Sequence, residues 1–173
     1  MQRLDFQGET IRASHVWNTI ERGIGGIQKN WLPVPDKPMT YIVGTSDHGA
    51  QHIDISNKDI VDVGRIDRNV LYRGNTPLVK VGGGYLAIVH CVIDVDDQHK
   101  IKTYYNHFVK YDDNLLPVLF SRPFKLTNRE IEFVTDLKLI GDEVQIGVTE
   151  NDDTPVVLTF DRGQLFNEIG LLG

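Results

Sequence analysis

Seven side chains in the chain have the chemistry and the local setting to bind a polar ligand. Arg73 precedes a turn shaped by Gly74 and Pro77, and its guanidinium offers a planar fork of donors that fits a phosphate or a carboxylate. The side chains of Asn75 and Thr76 can exchange hydrogen bonds with hydroxyl groups. An ordinary turn is the alternative interpretation of this segment. The full set of candidates is Arg73, Asn75, Thr76, His90, Tyr105, His107 and Glu132.

Two histidines lie in strand-like runs. His90 ends a run that is otherwise apolar, where a histidine is either a core residue bound to a backbone carbonyl or a functional residue. In the segment 104–109, YYNHFV, the alternation of a strand places Tyr105 and His107 on one face and Asn106 on the other. A face of aromatic rings and polar tips suits sugar recognition. Cross-strand packing is the alternative reading of the same face.

Glu132 is flanked by two apolar residues, so a strand would point its carboxyl group away from both. Such a carboxylate can bind a sugar hydroxyl, act as an acid or base, or form an ion pair with Arg73, and the ion pair is slightly favoured. Glycosidases normally need two carboxylates at a set separation. Nothing in the sequence identifies the second one, so no catalytic residue is assigned.

The sequence predicts neither a metal site nor a cofactor. His48 and His52 are four positions apart, and on a strand residues at that spacing share a face but stand about 13 Å apart. Cys91 is the only cysteine, which excludes an intrachain disulfide and a zinc site built on cysteines. The glycine runs at 23–26 and 82–84 lack the lysine of a phosphate-binding loop and are predicted to be turns.

Composition narrows the classes of partner and compartment. The chain has 173 residues, a formal net charge of −6, and lysines and arginines scattered singly, which disfavours a nucleic-acid partner. The start of the sequence has no apolar signal core, and its longest apolar stretch, 85–93, is about half the length that crosses a bilayer. We therefore expect no signal peptide, no membrane span, and a cytoplasmic or virion-associated protein.

A repeated plan dominates the sequence. Three segments, 28–60, 70–120 and 130–168, each contain an apolar run, a tight turn, a β-rich run, a polar loop and an alternating strand. The predicted turns lie at 36–38, 82–84 and 141–142. Whole units repeat, not isolated strands. The pattern therefore favours an all-β, propeller-like single domain over residues 1–173, with a β-sandwich as the alternative.

The ends of the chain complete this prediction. Residues 1–27 are predicted to hold the remnant strand of a preceding blade, with Thr10 to Ile20 alternating but lacking a sequence-adjacent partner before it. The segment 162–172 is predicted to form a short carboxy-terminal helix. Propeller rings have at least four blades. Three blades cannot close, so the sequence predicts a fragment or a homo-oligomer, with open edges that pair with another chain.

Several ordered motifs resemble a known group of propellers. Lys29-Asn30 before a Leu-Pro pair, Arg73-Gly74, and the strand ending in Val89-His90 resemble the later blades of five-bladed propellers in the mannoside phosphorylase family of glycoside hydrolases. The segments 104–109, 121–124 and 131–133 extend the similarity to uncharacterised propeller domains that accompany glycosyltransferases. The resemblance covers the chain from Lys29 onward.

The resemblance implies about three blades of a five-bladed ring and a sugar-facing central pocket lined by the start of each blade. In the phosphorylases, a histidine at the place of His90 and basic residues at the blade entries hold the attacking phosphate. The family's proton-donating aspartate lies in a Glu-Asp-Pro-Arg setting that this sequence does not contain.

Three functions follow as hypotheses. The first is a carbohydrate-active or carbohydrate-binding propeller of the glycosidase or phosphorylase type, inactive alone, that takes a glycan or sugar phosphate. The second is a non-catalytic glycan-binding or glycosyltransferase-associated module. The third is a structural or virion-associated subunit completed by another chain or by a complementing propeller half.

Overall fold

The fold is described from a computed structural model. The structure describes residues 2–7, 10–15, 30–56, 59–66, 72–96, 101–127, 129, 131–151 and 153–171. Antiparallel strands make up most of this part of the chain, in three sheets and one amino-terminal hairpin. The all-β class predicted from the sequence is therefore confirmed.

The amino-terminal hairpin pairs β1 (Gln2–Gln7) with β2 (Thr10–His15). The sequence had left the strand beginning at Thr10 without a partner before it. That expectation is wrong, because the preceding residues form β1 and pair with it along its whole length, from Gln7 opposite Thr10 to Gln2 opposite His15. Residues 16–20 of the predicted strand lie outside the described residues.

The first sheet is a meander of four antiparallel strands in chain order. Its strands are β3 (Leu32–Pro33), β4 (Thr40–Ser46), β5 (Gly49–Asp54) and β6 (Asp59–Gly64). The turn between β3 and β4 includes Asp36 to Pro38, as predicted. Proline at 35 and 38 restricts φ there and supplies no amide donor, which suits a turn better than a strand.

The middle sheet has long β9 and β10 at its centre. Its strands are β7 (Arg73–Gly74), β8 (Val79–Val81), β9 (Gly84–Asp96), β10 (Ile101–Tyr111) and β11 (Pro117–Phe120). Both β7 and β8 pair with β9, and residues 75–78 separate them. The predicted turn at Gly82 to Gly84 joins β8 to β9.

The last sheet is a three-stranded meander followed by a helix. Its strands are β12 (Glu132–Ile140), β13 (Glu143–Glu150) and β14 (Thr154–Asp161), with the predicted turn at Gly141-Asp142 between the first two. Helix α1 (Arg162–Glu168) confirms the predicted helix in a shorter form. Asp161 caps it, since its carboxylate accepts a hydrogen bond from the Gln164 backbone amide at 2.7 Å.

The middle sheet is buried on both faces. Alternation along β9 sends Tyr85, Ala87 and Val89 toward the first sheet, and Leu86 and Ile88 toward the last sheet. The first interface also contains Leu32, Val34, Ile42, Ala50, Leu78, Val109, Tyr111 and Leu115. The second also contains Phe108, Val134, Leu137, Val144, Ile146 and Val148. The three sheets therefore pack face to face in chain order around two apolar cores.

This stacking positions the polar residues, because His90 and Asn106 continue the face that meets the last sheet.

The described part of the chain does not show a closed propeller, and the number of blades stays a prediction. Among the described residues, no helix combines the length and the apolar character that crossing a membrane requires.

Candidate functional site

A buried carboxyl group organises the polar contacts between the middle and last sheets. Glu132 is the first residue of β12, and only 1% of its surface is exposed. Its Oε2 accepts hydrogen bonds from the Thr127 backbone amide at 2.7 Å and from the Thr127 hydroxyl at 3.1 Å. The Leu126 amide donates to both carboxyl oxygens, at 2.8 and 3.0 Å. The loop before β12 thus wraps its amides around this carboxylate.

Asn106 connects Glu132 to the middle sheet. Its Nδ2 donates to Glu132 Oε1 at 2.6 Å, and its side chain is fully buried in β10. Its backbone is also paired, since the Asn106 and Phe124 amides donate to each other's carbonyl oxygens at 3.1 and 2.9 Å. A buried polar side chain is stable only when its hydrogen bonds are made, and this bond of Asn106 crosses the boundary between the two sheets.

Asn75 and His90 complete a chain of four polar side chains. Asn75 follows β7, and its Nδ2 donates to Asn106 Oδ1 at 3.0 Å. Its Oδ1 is hydrogen-bonded to Nδ1 of His90, which lies in β9 with 3% of its surface exposed. The polar chain, as we call it below, is therefore His90, Asn75, Asn106 and Glu132 in that order. It joins three of the seven candidates predicted from sequence.

Arg73 lies across the ladder from His90, and two aromatic rings pack against the His90 ring. Arg73 pairs with His90 across the β7–β9 ladder, so the two side chains leave the same face, and Arg73 is exposed. The rings of Tyr104 and Phe133 each lie 5.8 Å from the His90 ring, centroid to centroid. We call Arg73, His90, Tyr104 and Phe133 the site mouth. It combines a guanidinium, an imidazole and two aromatic faces.

The predicted ion pair between Arg73 and Glu132 is wrong. All the hydrogen bonds of Glu132 come from Asn106, Leu126 and Thr127, and no ion pair joins it to Arg73 in the described structure. The cross-strand partner of Glu132 is Glu150, which is itself paired with Arg129, Nε to Oε2, at 3.5 Å. Glu132 is thus held by neutral donors, and a cation is not its partner.

Tyr105 and His107 lie on the other face of β10, toward the first sheet. Nδ1 of His107 is 3.1 Å from the Ser121 carbonyl oxygen, and its Nε2 is 3.8 Å from Cys91 Sγ. The Tyr72 ring packs edge-on against His107 at 5.0 Å. Burial raises the pKa of the Cys91 thiol. The structure therefore does not bring His107 together with His90 and Glu132.

Thr76 has a structural contact of its own. It is 1% exposed, and its hydroxyl accepts a hydrogen bond from the Ile88 amide at 3.0 Å. The Ile88 carbonyl accepts in turn from the amides of Asn75 and Thr76, at 3.0 and 3.3 Å. In the gap between β7 and β8, these bonds take the place of ladder pairing with β9. They hold Asn75 in position against β9. Thr76 is therefore a buried structural residue that helps to hold Asn75 in place.

Within the described residues, no cluster of three or more His, Cys, Asp or Glu side chains is arranged to hold a metal ion. His48 lies in the turn before β5, and His52 lies within β5. The Nδ1 atom of His52 is buried and has no hydrogen-bond partner among the described residues. Its burial, and secondarily the positive charge of Lys37, lower the pKa of His52.

Sequence reasoning did not select Asn106, although alternation had placed it opposite His107. The available signal was its residue type, because asparagine is disfavoured in strands and is stable inside one only with a dedicated partner. Tyr104 and Phe133 were also outside the predicted set, since neither is unusual in a strand. The backbone donors of Leu126 and Thr127 carry no side-chain signature at all.

Comparison with known proteins adds no relative to this picture. No protein-family profile, no curated protein and no solved structure matches the chain. The fold and the site geometry therefore carry the functional argument, and the propeller resemblance contributes only to a proposal.

Proposed function

We propose that this protein is a non-catalytic module that binds a sugar or a sugar phosphate at the site mouth. The observation that carries the proposal is the position of Arg73, exposed directly across the ladder from His90, which is a member of the buried polar chain. Residues of a binding site act best when their rotamers are fixed by a second layer of contacts. The polar chain is such a layer for His90.

The chemistry of the site mouth matches a phosphorylated sugar. The Arg73 guanidinium offers a bidentate set of donors for phosphate, and Tyr104 and Phe133 offer ring faces for the apolar surface of a sugar. The resemblance to mannoside phosphorylase propellers favours the same ligand class. Two of the predicted binding residues, Tyr105 and His107, face the first sheet and are not included in the proposal.

The setting of Glu132 supports binding without hydrolysis. A glycosidase acid or base must reach the glycosidic oxygen or a water molecule, whereas this carboxyl group is 1% exposed and occupied by the donors of Asn106, Leu126 and Thr127. Its cross-strand neighbour Glu150 is ion-paired with Arg129. Among the described residues this leaves no carboxylate pair poised over the site mouth.

The propeller resemblance also supports a second proposal about assembly, in which another copy of the chain or a complementing propeller half completes a ring. Sedimentation velocity tests it. A stable oligomer of defined size is expected, and a monomer at every concentration tested would contradict it.

Isothermal titration calorimetry tests the binding proposal. Mannose 1-phosphate is titrated into the wild-type protein, into Arg73→Ala, and into Arg122→Ala, an exposed arginine outside the site mouth. Losing charge-assisted hydrogen bonds costs about 1.5–3 kcal/mol, so we expect R73A to weaken binding about tenfold or more and R122A to leave it unchanged. Absence of saturable heat in the wild type, or equal affinity in R73A, would overturn the proposal.

Free mannose and inorganic phosphate separate the two halves of the ligand. If the site mouth reads both, each binds more weakly than the sugar phosphate, and R73A affects phosphate more than mannose. Incubation with aryl mannosides provides the catalytic control. Turnover at enzyme-like rates that survives purification would contradict the non-catalytic form of the proposal.

A further inference from the structure

Strand β12 contains one extra residue near its start. Val134 pairs with Val148 and Asp136 pairs with Gly147, so Thr135 lies between two ladder pairs without a cross-strand partner in β13. A Cβ added at Gly147 would lie 3.1 Å from the Thr135 hydroxyl oxygen and 3.2 Å from the Asp136 Cβ. Two residues of β12 therefore oppose one residue of β13. This arrangement is a β-bulge, a feature that can redirect a side chain next to a site.

The bulge reverses the alternation of side chains at the start of β12. In a regular strand, residues three positions apart lie on opposite faces, yet Val134 and Leu137 are both buried in the second apolar core. The extra residue between them accounts for this. Glu132, two positions before Val134, shares its core-facing side, and Phe133 points to the other side. Without the bulge, Glu132 and Phe133 would exchange faces.

Glu132 and Phe133 meet a cross-strand pair of the middle sheet. His90 in β9 and Asn106 in β10 lie opposite each other in the ladder. Glu132 accepts the side-chain amide of Asn106 at 2.6 Å, and the Phe133 ring lies 5.8 Å from the His90 ring in an edge-to-face arrangement. The carboxylate also accepts backbone amides of the loop before β12. The residue next to Phe133 is thus held both by β10 and by that loop.

We propose that Glu132 is a positioning residue of the site mouth, whose carboxylate, together with the bulge at Thr135, holds the Phe133 ring against His90. Phe133 is the aromatic ring that β12 contributes to the mouth. If the binding function proposed above holds, Glu132 controls the affinity for the sugar and leaves the contact between phosphate and Arg73 unchanged. The inference rests on that function only for this last step, since the ring contact is a property of the free protein.

The ring contact is measurable without a ligand, as nuclear Overhauser cross-peaks between the ring protons of Phe133 and His90. We expect these cross-peaks in the wild type. Glu132→Gln keeps the shape of the side chain but replaces one acceptor oxygen by an NH₂ group, so the donors around it can no longer all be satisfied. We expect the start of β12 to move and E132Q to lose the cross-peaks. Glu143→Gln, at an exposed position in β13, is the control and should keep them.

Calorimetry with free mannose and with inorganic phosphate shows what the ring contact does for binding. We expect E132Q to bind mannose about threefold more weakly or worse, as for the loss of an aromatic contact, and to bind phosphate as the wild type does. Phe133→Ala should weaken mannose binding in the same way. The double variant should bind mannose as weakly as F133A alone, because Glu132 acts through the ring. Additive losses in the double variant would contradict this route.

Three spectral outcomes would overturn the proposal. The first is a wild-type protein without Phe133–His90 cross-peaks, which is measurable whether or not any variant folds. The second is a folded E132Q protein that keeps them. If E132Q does not fold, Glu132→Asp takes its place, because its shorter carboxylate cannot meet both Asn106 and the loop from the same backbone position, and unchanged cross-peaks there are the third.

The spectra and the titrations fail separately. If neither mannose nor phosphate binds the wild type, the proposed function is contradicted, and the ring cross-peaks still decide whether Glu132 positions Phe133. If both ligands bind and E132Q leaves the affinity for mannose unchanged, the binding function stands and the role of Glu132 in it is wrong.

Discussion

Asn106 donates its side-chain amide to the carboxylate of Glu132 at 2.6 Å, across the boundary between two sheets. Both residues are almost completely buried, and neither lies near its partner in sequence. This contact joins the middle sheet to the loop that leads into β12. It also connects the core of the molecule to the site mouth through the rest of the polar chain.

Removing this carboxylate should be strongly destabilising. Glu132→Ala leaves the Asn106 amide and the Leu126 and Thr127 amides without an acceptor in a buried place. A buried unsatisfied donor costs about 1–3 kcal/mol, so we expect the free energy of unfolding to fall by about 3 kcal/mol or more in urea denaturation. Glu143→Ala, at an exposed position, should stay within about 0.5 kcal/mol of the wild type. Equal effects of the two substitutions would contradict this account of the carboxylate.

Placing a second carboxylate in the polar chain should make stability depend on pH. In Asn106→Asp the new carboxylate meets Glu132 and loses the donor that Asn106 supplied. Two carboxylates that share a buried site raise the pKa of one of them. A raised pKa in the folded state means that the folded protein is favoured at low pH and loses that stability as the pH rises through the raised value.

We therefore expect the stability deficit of N106D relative to the wild type to shrink as the pH falls from about 7 to about 5. The gain arises because an unfolded aspartate titrates near 3.9, well below the raised folded value. Thermal unfolding of both proteins across that range measures the effect. A constant difference in Tm at every pH would show that the aspartate is not in contact with Glu132.

The backbone of Tyr111 lies so close to residue 84 that only glycine fits there. Gly84 has a φ of +145°, and an added Cβ would lie 1.9 Å from the Tyr111 carbonyl oxygen. Gly84→Ala must therefore displace β9 from the end of β10, and we expect a loss of about 3 kcal/mol or more, or failure to fold. Gly82, in the same turn, has open space at its Cβ. Gly82→Ala should lie within about 0.5 kcal/mol of the wild type, and a larger cost there would contradict this picture of the turn.

Tyr72 should contribute to stability up to strongly alkaline pH. Burial, and secondarily the nearby carboxylate of Asp47, raise the pKa of Tyr72 to about 12. The unfolded value is about 10, so the folded state favours the protonated phenol. The stability from this difference is present below pH 10 and is lost as the pH rises toward 12.

Tyr72→Phe removes this titration. We expect the Tm of Y72F to fall less steeply than that of the wild type between about pH 10 and 12. Between pH 7 and 9 the two curves should run parallel. Identical slopes through the alkaline range would show that the phenol is not held in its protonated form by the fold.

The sequence predicted the features that depend on neighbouring residues. The turn at Gly82 to Gly84 follows from residues that tolerate positive φ, and the structure has φ of +72° at Gly83. Alternation correctly separated Asn106 from His107. It could not say which face of β10 would meet the last sheet, because that depends on how whole sheets stack, and the face with Tyr105 and His107 was chosen instead.

The partner of Glu132 was beyond sequence reasoning for a different reason. Its donors are mainly backbone amides of Leu126 and Thr127, which every residue except proline possesses. Charge complementarity therefore favoured Arg73, which lies exposed on the next sheet. Local chemistry identified that a buried glutamate needs donors, and only the loop conformation determines which donors they are.

Chemical-shift mapping tests the central claim, that the site mouth binds a sugar phosphate, most directly. Uniformly ¹⁵N-labelled protein is titrated with mannose 1-phosphate and followed in amide correlation spectra. We predict saturable shifts that are largest at Arg73, His90, Tyr104 and Phe133, with the turn at 36–38 unchanged. Absence of saturable shifts, or the largest shifts at Tyr105 and His107 on the opposite face of β10, would contradict the account.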